Sequence, residues 1–401
     1  MGTGPHLAVL IPGCGELRDG GIAVSSRIGP IVERLCELVG TTTLLAYDPP
    51  LVGAKQEDRV DFVMRPSNLS DVRFVSLGPK GTYRDMLARR KRVGAIVDEL
   101  SGEWDLLFLP LTNRRVGTVF KRSKTRRIFS QIGGHTPTVI RDVPAPFHKT
   151  LLPRLGAALA ERQYRRIARE ALFFVNGEAL LPYYAKPGTN VQVLRSSARR
   201  ARHTYAVADR FQGDPQLLVV ARITAPKGVY DALEAFALLR AGALPTATLH
   251  MVGNGDAEDG LRARAAELGL ADAIVWHGWV APGDDLYAIF RDMDVMLMPS
   301  LAESLPKTIW ESMAHSVLVV STPVGAIPHV FTDNEDLLFV PVHDPKAIAA
   351  AVERLASDPA LRQRLIARGL ETSALVTVDA IAEQLLDHVA ARWPDLQAAR
   401  D

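Results

Sequence analysis

Two acidic residues, Glu303 and Glu311, flank a proline in the run Ser300-Leu-Ala-Glu303-Ser-Leu-Pro306-Lys-Thr-Ile-Trp-Glu311. Proline suits the first turn of a helix. The run therefore predicts a loop bearing Glu303, then a helix bearing Glu311. Backbone N–H groups near Leu305 to Thr308 then lie at the positive end of that helix, which suits a diphosphate. A carboxylate accepts two hydrogen bonds from a diol, so Glu311 suits a ribose and Glu303 the hydroxyls of a sugar. A capped, solvated acidic helix is the plainer account of the same residues.

A second run, Val220-Ala-Arg222-Ile-Thr-Ala-Pro-Lys227-Gly228, sets two cations after an apolar strand pattern. Arg222 and Lys227 there suit the charge of a leaving diphosphate. Cations in loops are more often merely solvated, but these two fall on the same strand edge as Glu303. Gly253-Asn-Gly255 and Gly278-Trp-Val280 follow further strand patterns. The first permits a tight turn, although a plain strand-to-helix turn explains it as well. Gly253 and Val280 mark the expected vicinity of a nucleobase. Near the N-terminus, Gly13-Cys-Gly15 and Asp19-Gly20-Gly21-Ile22 follow the first strand. Gly20 and Gly21 would let backbone approach the diphosphate closely. Arg18 stands where a dinucleotide fingerprint needs its third glycine, and no Gly-Lys-Ser/Thr follows. No Cys/His cluster has zinc spacing, and no G-x-S-x-G occurs.

The elements that must hold these residues alternate between strand and helix. Leu217–Ala221, Ala247–Val252, Ile274–His277, Asp294–Met298, Val317–Ser321 and Leu337–Val340 read as buried strands. Lys227–Arg240, Glu258–Leu268, Asp285–Arg291, Pro306–Ala314 and Pro345–Ser357 read as helices. Upstream, Leu7–Ile11, Thr43–Ala46, Val72–Leu77, Leu106–Leu109, Thr138–Arg141 and Leu172–Val175 are expected strands; Ile28–Val39, Tyr83–Leu100 and Leu155–Arg169 are expected helices. Such alternation predicts an α/β protein with two doubly wound, Rossmann-like domains facing a cleft, where ligands bind beyond the carboxyl ends of the strands. The expected domains are residues 1–205 and 206–377, with 196–215 as the connection. A last helix, about 378–398, is expected to pack back on the first domain.

A length of 401 residues and a 47% hydrophobic content suit two full cores. The net charge of +2 hides a split. Residues 1–200 carry 31 Lys and Arg against 18 Asp and Glu; the remainder carries 16 against 27. The basic half suits an acidic acceptor or an anionic membrane surface, with solvated helix faces as the alternative. Basic runs with little aromatic interleaving argue against nucleic acid. Two cysteines make no disulfide framework. No secretory core or membrane-spanning run is read in the chain, so the expected location is cytoplasmic, with association to the inner membrane face left open.

Taken in order, Arg222, Lys227-Gly228, Gly253-x-Gly255, Gly278-x-Val280, Asp294, Pro299-Ser300, the Glu303/Glu311 pair and Thr322-Pro323-Val324-Gly325 resemble the retaining glycosyltransferases of the GT-B fold, in particular glycosyltransferase family 4. The resemblance is clear from about Gln216 to Leu370 and fainter before residue 195. It implies a UDP- or GDP-type nucleotide-sugar donor held mainly by the C-terminal domain and an acceptor on the N-terminal one. It assigns Arg222 and Lys227 to the diphosphate, Glu303 to the sugar and Glu311 to the ribose, with no cofactor or essential metal. Three departures stand out. Ser304-Leu305 replaces a frequent Gly-aromatic pair, and Ala314-His315-Ser316 replaces small residues and glycine. Where many members carry a His-Asp pair near the reacting carbon, this chain has Arg141-Asp142. Asp142 suits orienting the acceptor or taking its proton. Arg141 stays protonated and suits an anion or the sugar. His135 precedes the expected strand 138–141 and so would lie at its amino end, away from the cleft. A sugar-nucleotide epimerase, a transferase acting on a small secondary metabolite and a sugar-nucleotide-binding protein without catalysis are the competing readings.

Overall fold

The computed structural model describes residues 4–25, 28–50, 60, 62–79, 85–111, 116–132, 147–195, 199–303 and 305–399. The chain divides into two compact units, Met1–Ala198 with Val378–Asp401, and Arg199–Thr377.

The first unit is built on a parallel sheet of seven strands: β1 (Leu7–Cys14), β4 (Thr42–Asp48), β6 (Val72–Pro79), β7 (Leu106–Pro110), β8 (Ile128–Ile132), β9 (Leu172–Val175) and β10 (Asn190–Val193). Their spatial order is β10-β9-β8-β7-β1-β4-β6. Central strands such as β7 and β9 are buried along their whole length, as parallel strands covered on both faces must be. Three short strands, β2 (Glu16–Arg18), β3 (Gly21–Val24) and β5 (Phe62–Met64), form a separate antiparallel sheet. Helices α1 (Gly29–Leu38), α2 (Met86–Leu100), α3 (Val116–Arg122), α4 (Phe147–Glu170) and the single turn α5 (Leu181–Tyr184) accompany the strands. One core cluster joins Val93 and Val97 of α2, Val119 and Phe120 of α3, and Tyr164 and Ile167 of α4. On α4, Arg162, Arg165, Arg166 and Arg169 are exposed, and so is Leu159, at 67% of its surface.

The second unit is a six-stranded parallel sheet, β11 (Gln216–Val220), β12 (Thr248–Val252), β13 (Ile274–Gly278), β14 (Val295–Met298), β15 (Leu318–Ser321) and β16 (Leu338–Phe339), in the order β13-β12-β11-β14-β15-β16. Its helices are α6 (Val229–Ala241), α7 (Glu258–Glu267), α8 (Asp284–Arg291), α9 (Lys307–Ala314), the turn α10 (Ile327–Val330), α11 (Pro345–Ser357) and α12 (Pro359–Ala374). Helices α11 and α12 each start with an aspartate cap and a proline: Asp344 accepts the Ala347 N–H and Asp358 the Leu361 N–H, both at 2.9 Å. The final helix α13 (Val378–Arg392) returns to the first unit, where Asp379 pairs with Arg34 of α1 at 3.2 Å.

Two of the differences from the sequence reading concern connecting segments. Asp19 and Gly20 form the turn of the β2–β3 hairpin, and Gly21 and Ile22 lie in its second strand, opposite Arg18 and Leu17. The stretch read as a connection is, from Arg199 onward, built into the second unit. Arg199 is fully buried and donates to the Ser373 carbonyl at 2.6 Å. Arg210 is also buried and donates to the carbonyls of Ser316, Arg291 and His315. These are carbonyls that the ends of α8 and α9 leave without helical partners.

Candidate functional site

In the second sheet β11 lies beside both β12 and β14, so the strand order turns back between β11 and β14. Ligands of open parallel sheets bind in the crevice outside the strand ends at such a switch point. The loops after β11 and β14 meet there. The first runs through Arg222 and a 3-10 turn, Ala225–Lys227, to Gly228. Gly228 has φ +67°, and a Cβ on it would stand 1.9 Å from the Pro299 carbonyl oxygen. Only glycine allows that approach. The Leu301 N–H donates to the Pro226 carbonyl at 2.9 Å and fastens the two loops together.

This fastening brings Lys227 and Glu303 into contact. Lys227 Nζ lies 2.6 Å from Glu303 Oε1, with side chains 19% and 11% exposed. The Ser300 hydroxyl donates to the same Oε1 at 2.8 Å. Ser300 is itself buried, and its carbonyl accepts the Thr322 hydroxyl at 2.5 Å. A chain of polar contacts thus links the ends of β15, β14 and β11. Arg222 is exposed, and its side chain has no hydrogen-bonding or ionic partner among the described residues.

Helix α9 begins one residue later than expected. Pro306 is its extended N-cap and supplies no side-chain cap. The first N–H groups of a helix have no intrahelical partner, so an uncapped end at the switch point offers donors to an anion. Leu305 points into the core at 4% exposure, so any part it plays in binding is through its backbone. Thr308 is half-buried, its hydroxyl 3.9 Å from Met298 Sδ.

Glu311, in the middle of α9, is 5% exposed. Its carboxylate has no hydrogen-bond donor among the described residues. Burial raises its pKa above the ordinary 4.5, against the pull of Lys307 and Arg199. A buried carboxylate lacking donors is costly, and a ligand bringing two hydroxyls would relieve it. His315 closes the helix as its C-cap. Its Nδ1–H donates to the Glu311 carbonyl at 2.7 Å, and its ring stacks on Tyr287 and Phe290 of α8. Burial pushes its pKa down to about 4.

The remaining expected residues fall into three groups. Gly253 follows β12 with φ +133°, and a Cβ there would stand 1.8 Å from the Ala221 carbonyl oxygen. Its N–H donates to Gly278 at 2.7 Å, so it ties the loops after β11, β12 and β13 together. Val280 is half-buried and its neighbour Trp279 is 38% exposed. Asp294 is structural: it accepts the N–H groups of Phe211 and Gln216 at 2.7 and 2.8 Å. Gly20 and Gly21 belong to the first unit. Gly20 turns the hairpin at φ +72°, and a Cβ on Gly21 would meet the Met64 carbonyl at 2.4 Å. Arg141, Asp142 and His135 lie outside the described residues, as does the expected strand 138–141. The strand between β7 and β9 is β8, which ends at Ile132. Sequence reasoning did not foresee the tethering of Glu303 by Ser300 and Thr322. The only signal was a hydroxyl residue just beyond each of two strand ends.

Residues 205–372 match the family model of glycosyl transferases group 1. The group 1 region covers nearly all of the second unit, including every residue from Arg222 to Thr322 discussed above. Among curated proteins, the chain is 33% identical over 158 residues to the lipopolysaccharide core biosynthesis glycosyltransferase LpsE of Rhizobium meliloti, covering 39% of this chain and 44% of that protein. It is 30% identical over 262 residues to a D-inositol 3-phosphate glycosyltransferase of Thermomonospora curvata, covering 61% of this chain and 60% of that one. The chain thus spans about half the length of the curated relatives it matches. Among solved structures, sucrose-phosphate synthase from Thermosynechococcus elongatus superposes with a TM-score of 0.69 at 18% identity, covering 98% of this chain and all of that one. Anabaena Alr3699/HepE, solved in complex with UDP and glucose, gives 0.66 at 12% identity over 96% of this chain. The fold is that of GT-B glycosyltransferases.

Proposed function

We propose that the chain is a glycosyltransferase. It takes the glycosyl group of a UDP- or GDP-type sugar nucleotide and passes it, with retention, to an acceptor in polysaccharide, glycolipid or glycoconjugate synthesis. The observation that carries this reading is the convergence of Arg222, the Lys227–Glu303 pair and the open start of α9 at one switch point. The bond between the anomeric carbon and the diphosphate oxygen breaks, and the acceptor oxygen bonds to that carbon. The acceptor proton passes to the departing phosphate or to Asp142. Charge gathers on the leaving diphosphate, where Arg222, Lys227 and the helix N–H groups are already in place. These groups supply the positive charge themselves, so the reaction is expected to run in the presence of a chelator. Glu303 takes hydroxyls of the sugar, and Glu311 takes those of the ribose.

Relatives named for lipopolysaccharide core and colanic acid biosynthesis support an acceptor of the glycan or glycolipid class. The exposed arginines of α4 suit an acidic or membrane-borne acceptor on the first unit. A thermal-shift panel of UDP- and GDP-sugars tests the reading, since a ligand that binds the native state raises its unfolding temperature. A shift with at least one sugar nucleotide, followed by sugar transfer to a glycolipid extract, is the expected result. Stabilisation without transfer would favour a binding protein, and sugar-nucleotide consumption without acceptor an epimerase.

A further inference from the structure

We propose that the Lys227–Glu303 pair makes the site discriminate against the spent nucleotide, and that Ser300 and Thr322 are positioning residues that hold Glu303 in that role. The proposal rests on the donor-binding reading above.

Oε1 of Glu303 takes both the Lys227 ammonium at 2.6 Å and the Ser300 hydroxyl at 2.8 Å. Oε2 has no partner among the described residues. The carboxylate is therefore fixed through one oxygen and presents the other. A donor sugar brings hydroxyls that donate to Oε2 without disturbing the ion pair. A nucleoside diphosphate without sugar brings none. It meets a Lys227 whose charge Glu303 already half-neutralises, and a fixed carboxylate beside its own phosphate oxygens. Like charges held close in a partly buried site repel strongly. Glu303 thus favours the loaded donor twice, by a hydrogen bond gained and by a repulsion that the sugar offsets. After transfer the same arrangement speeds departure of the diphosphate.

The tether explains why Glu303 cannot swing away. Ser300 is 1% exposed and Thr322 fully buried, so neither hydroxyl has water as an alternative partner. Without Ser300 the carboxylate keeps only the lysine and is free to turn outward.

The test is calorimetric titration with UDP, GDP, UDP-glucose and GDP-mannose. The measured quantity is the ratio of the Kd of the bare nucleotide to that of its sugar form. Glu303→Gln is expected to tighten the bare nucleotide about tenfold and weaken the sugar form, so the ratio collapses. Ser300→Ala and Thr322→Val should lower the ratio about threefold, and Thr322→Ser should restore it. A change in folding stability alone weakens both ligands together and leaves the ratio unmoved. Bare nucleotide binding no tighter in Glu303→Gln than in wild type, where wild type binds a sugar form, overturns this inference and spares the donor reading. Wild-type protein that binds none of the four probes overturns both.

Discussion

Lys227 and Glu303 are 76 residues apart in the chain, yet their charged groups lie 2.6 Å apart, because the loops after β11 and β14 share the switch point of one sheet. In the proposed reaction Lys227 stabilises the leaving diphosphate. Lys227→Ala is expected to lower kcat by about 10²–10³, the usual consequence of losing one preorganised group that meets developing charge. Circular dichroism should show an intact fold. Steady-state kinetics with the donor found by the thermal-shift panel measure the effect.

Glu311 predicts opposite changes in stability and binding. Its folded pKa lies above 4.5, so between 4.5 and that raised value the native state holds a proton the unfolded state has lost. Stability therefore falls as pH rises through this window, and the loss is complete above it. Glu311→Gln removes the buried charge and should raise the unfolding temperature at neutral pH, with the gap to wild type narrowing as pH falls toward 4.5. Donor affinity should drop roughly 10–100-fold, the worth of a charged hydrogen bond or two. Thermal unfolding from pH 4.5 to 7.5 and donor titration check the two halves.

His315 gives the reverse dependence. Its folded pKa is about 4 against 6.5 in the unfolded chain. As pH falls from 6.5 toward 4 the unfolded state takes up a proton that the native state refuses, and stability is lost. His315→Phe keeps a ring between Tyr287 and Phe290 and removes the titration. It should cost about 1 kcal/mol at pH 7.5 through the lost bond to the Glu311 carbonyl, with the deficit shrinking by pH 5. Parallel unfolding curves at both pH values would contradict the assignment.

The exposed arginines of α4, set around Leu159, predict binding to anionic vesicles. Sedimentation with phosphatidylglycerol vesicles should pull the protein down at low salt and release it as salt rises. Arg162→Glu with Arg169→Glu should abolish the effect. Equal binding to uncharged vesicles would show that charge is not the cause.

The fold was legible where a strand is an unbroken apolar run and a helix carries its own punctuation. Leu172–Val175 and Pro345–Ser357 have the expected limits, the latter through its Asp344 cap and proline. Strand β8 was missed because Ser130 and Gln131 interrupt its apolar run, although Ser130 is fully buried. Edge strand β10 was missed because Asn190 and Gln192 give it the look of a loop. At the site, residue type and strand-edge position brought Arg222, Lys227, Glu303 and Glu311 into view. What they do to one another was not legible. A lysine and a glutamate were each assigned to a ligand, and their direct pairing depends on Gly228 packing on Pro299, a contact no local pattern encodes.

The central claim is that these four residues serve one sugar nucleotide. Calorimetric titration of the best-stabilising UDP- or GDP-sugar into wild type, Lys227→Ala and Glu311→Ala tests it most directly. The account predicts saturable one-to-one binding by wild type and affinity at least tenfold weaker in each variant. Equal affinity in all three, with the variants folded, would contradict it.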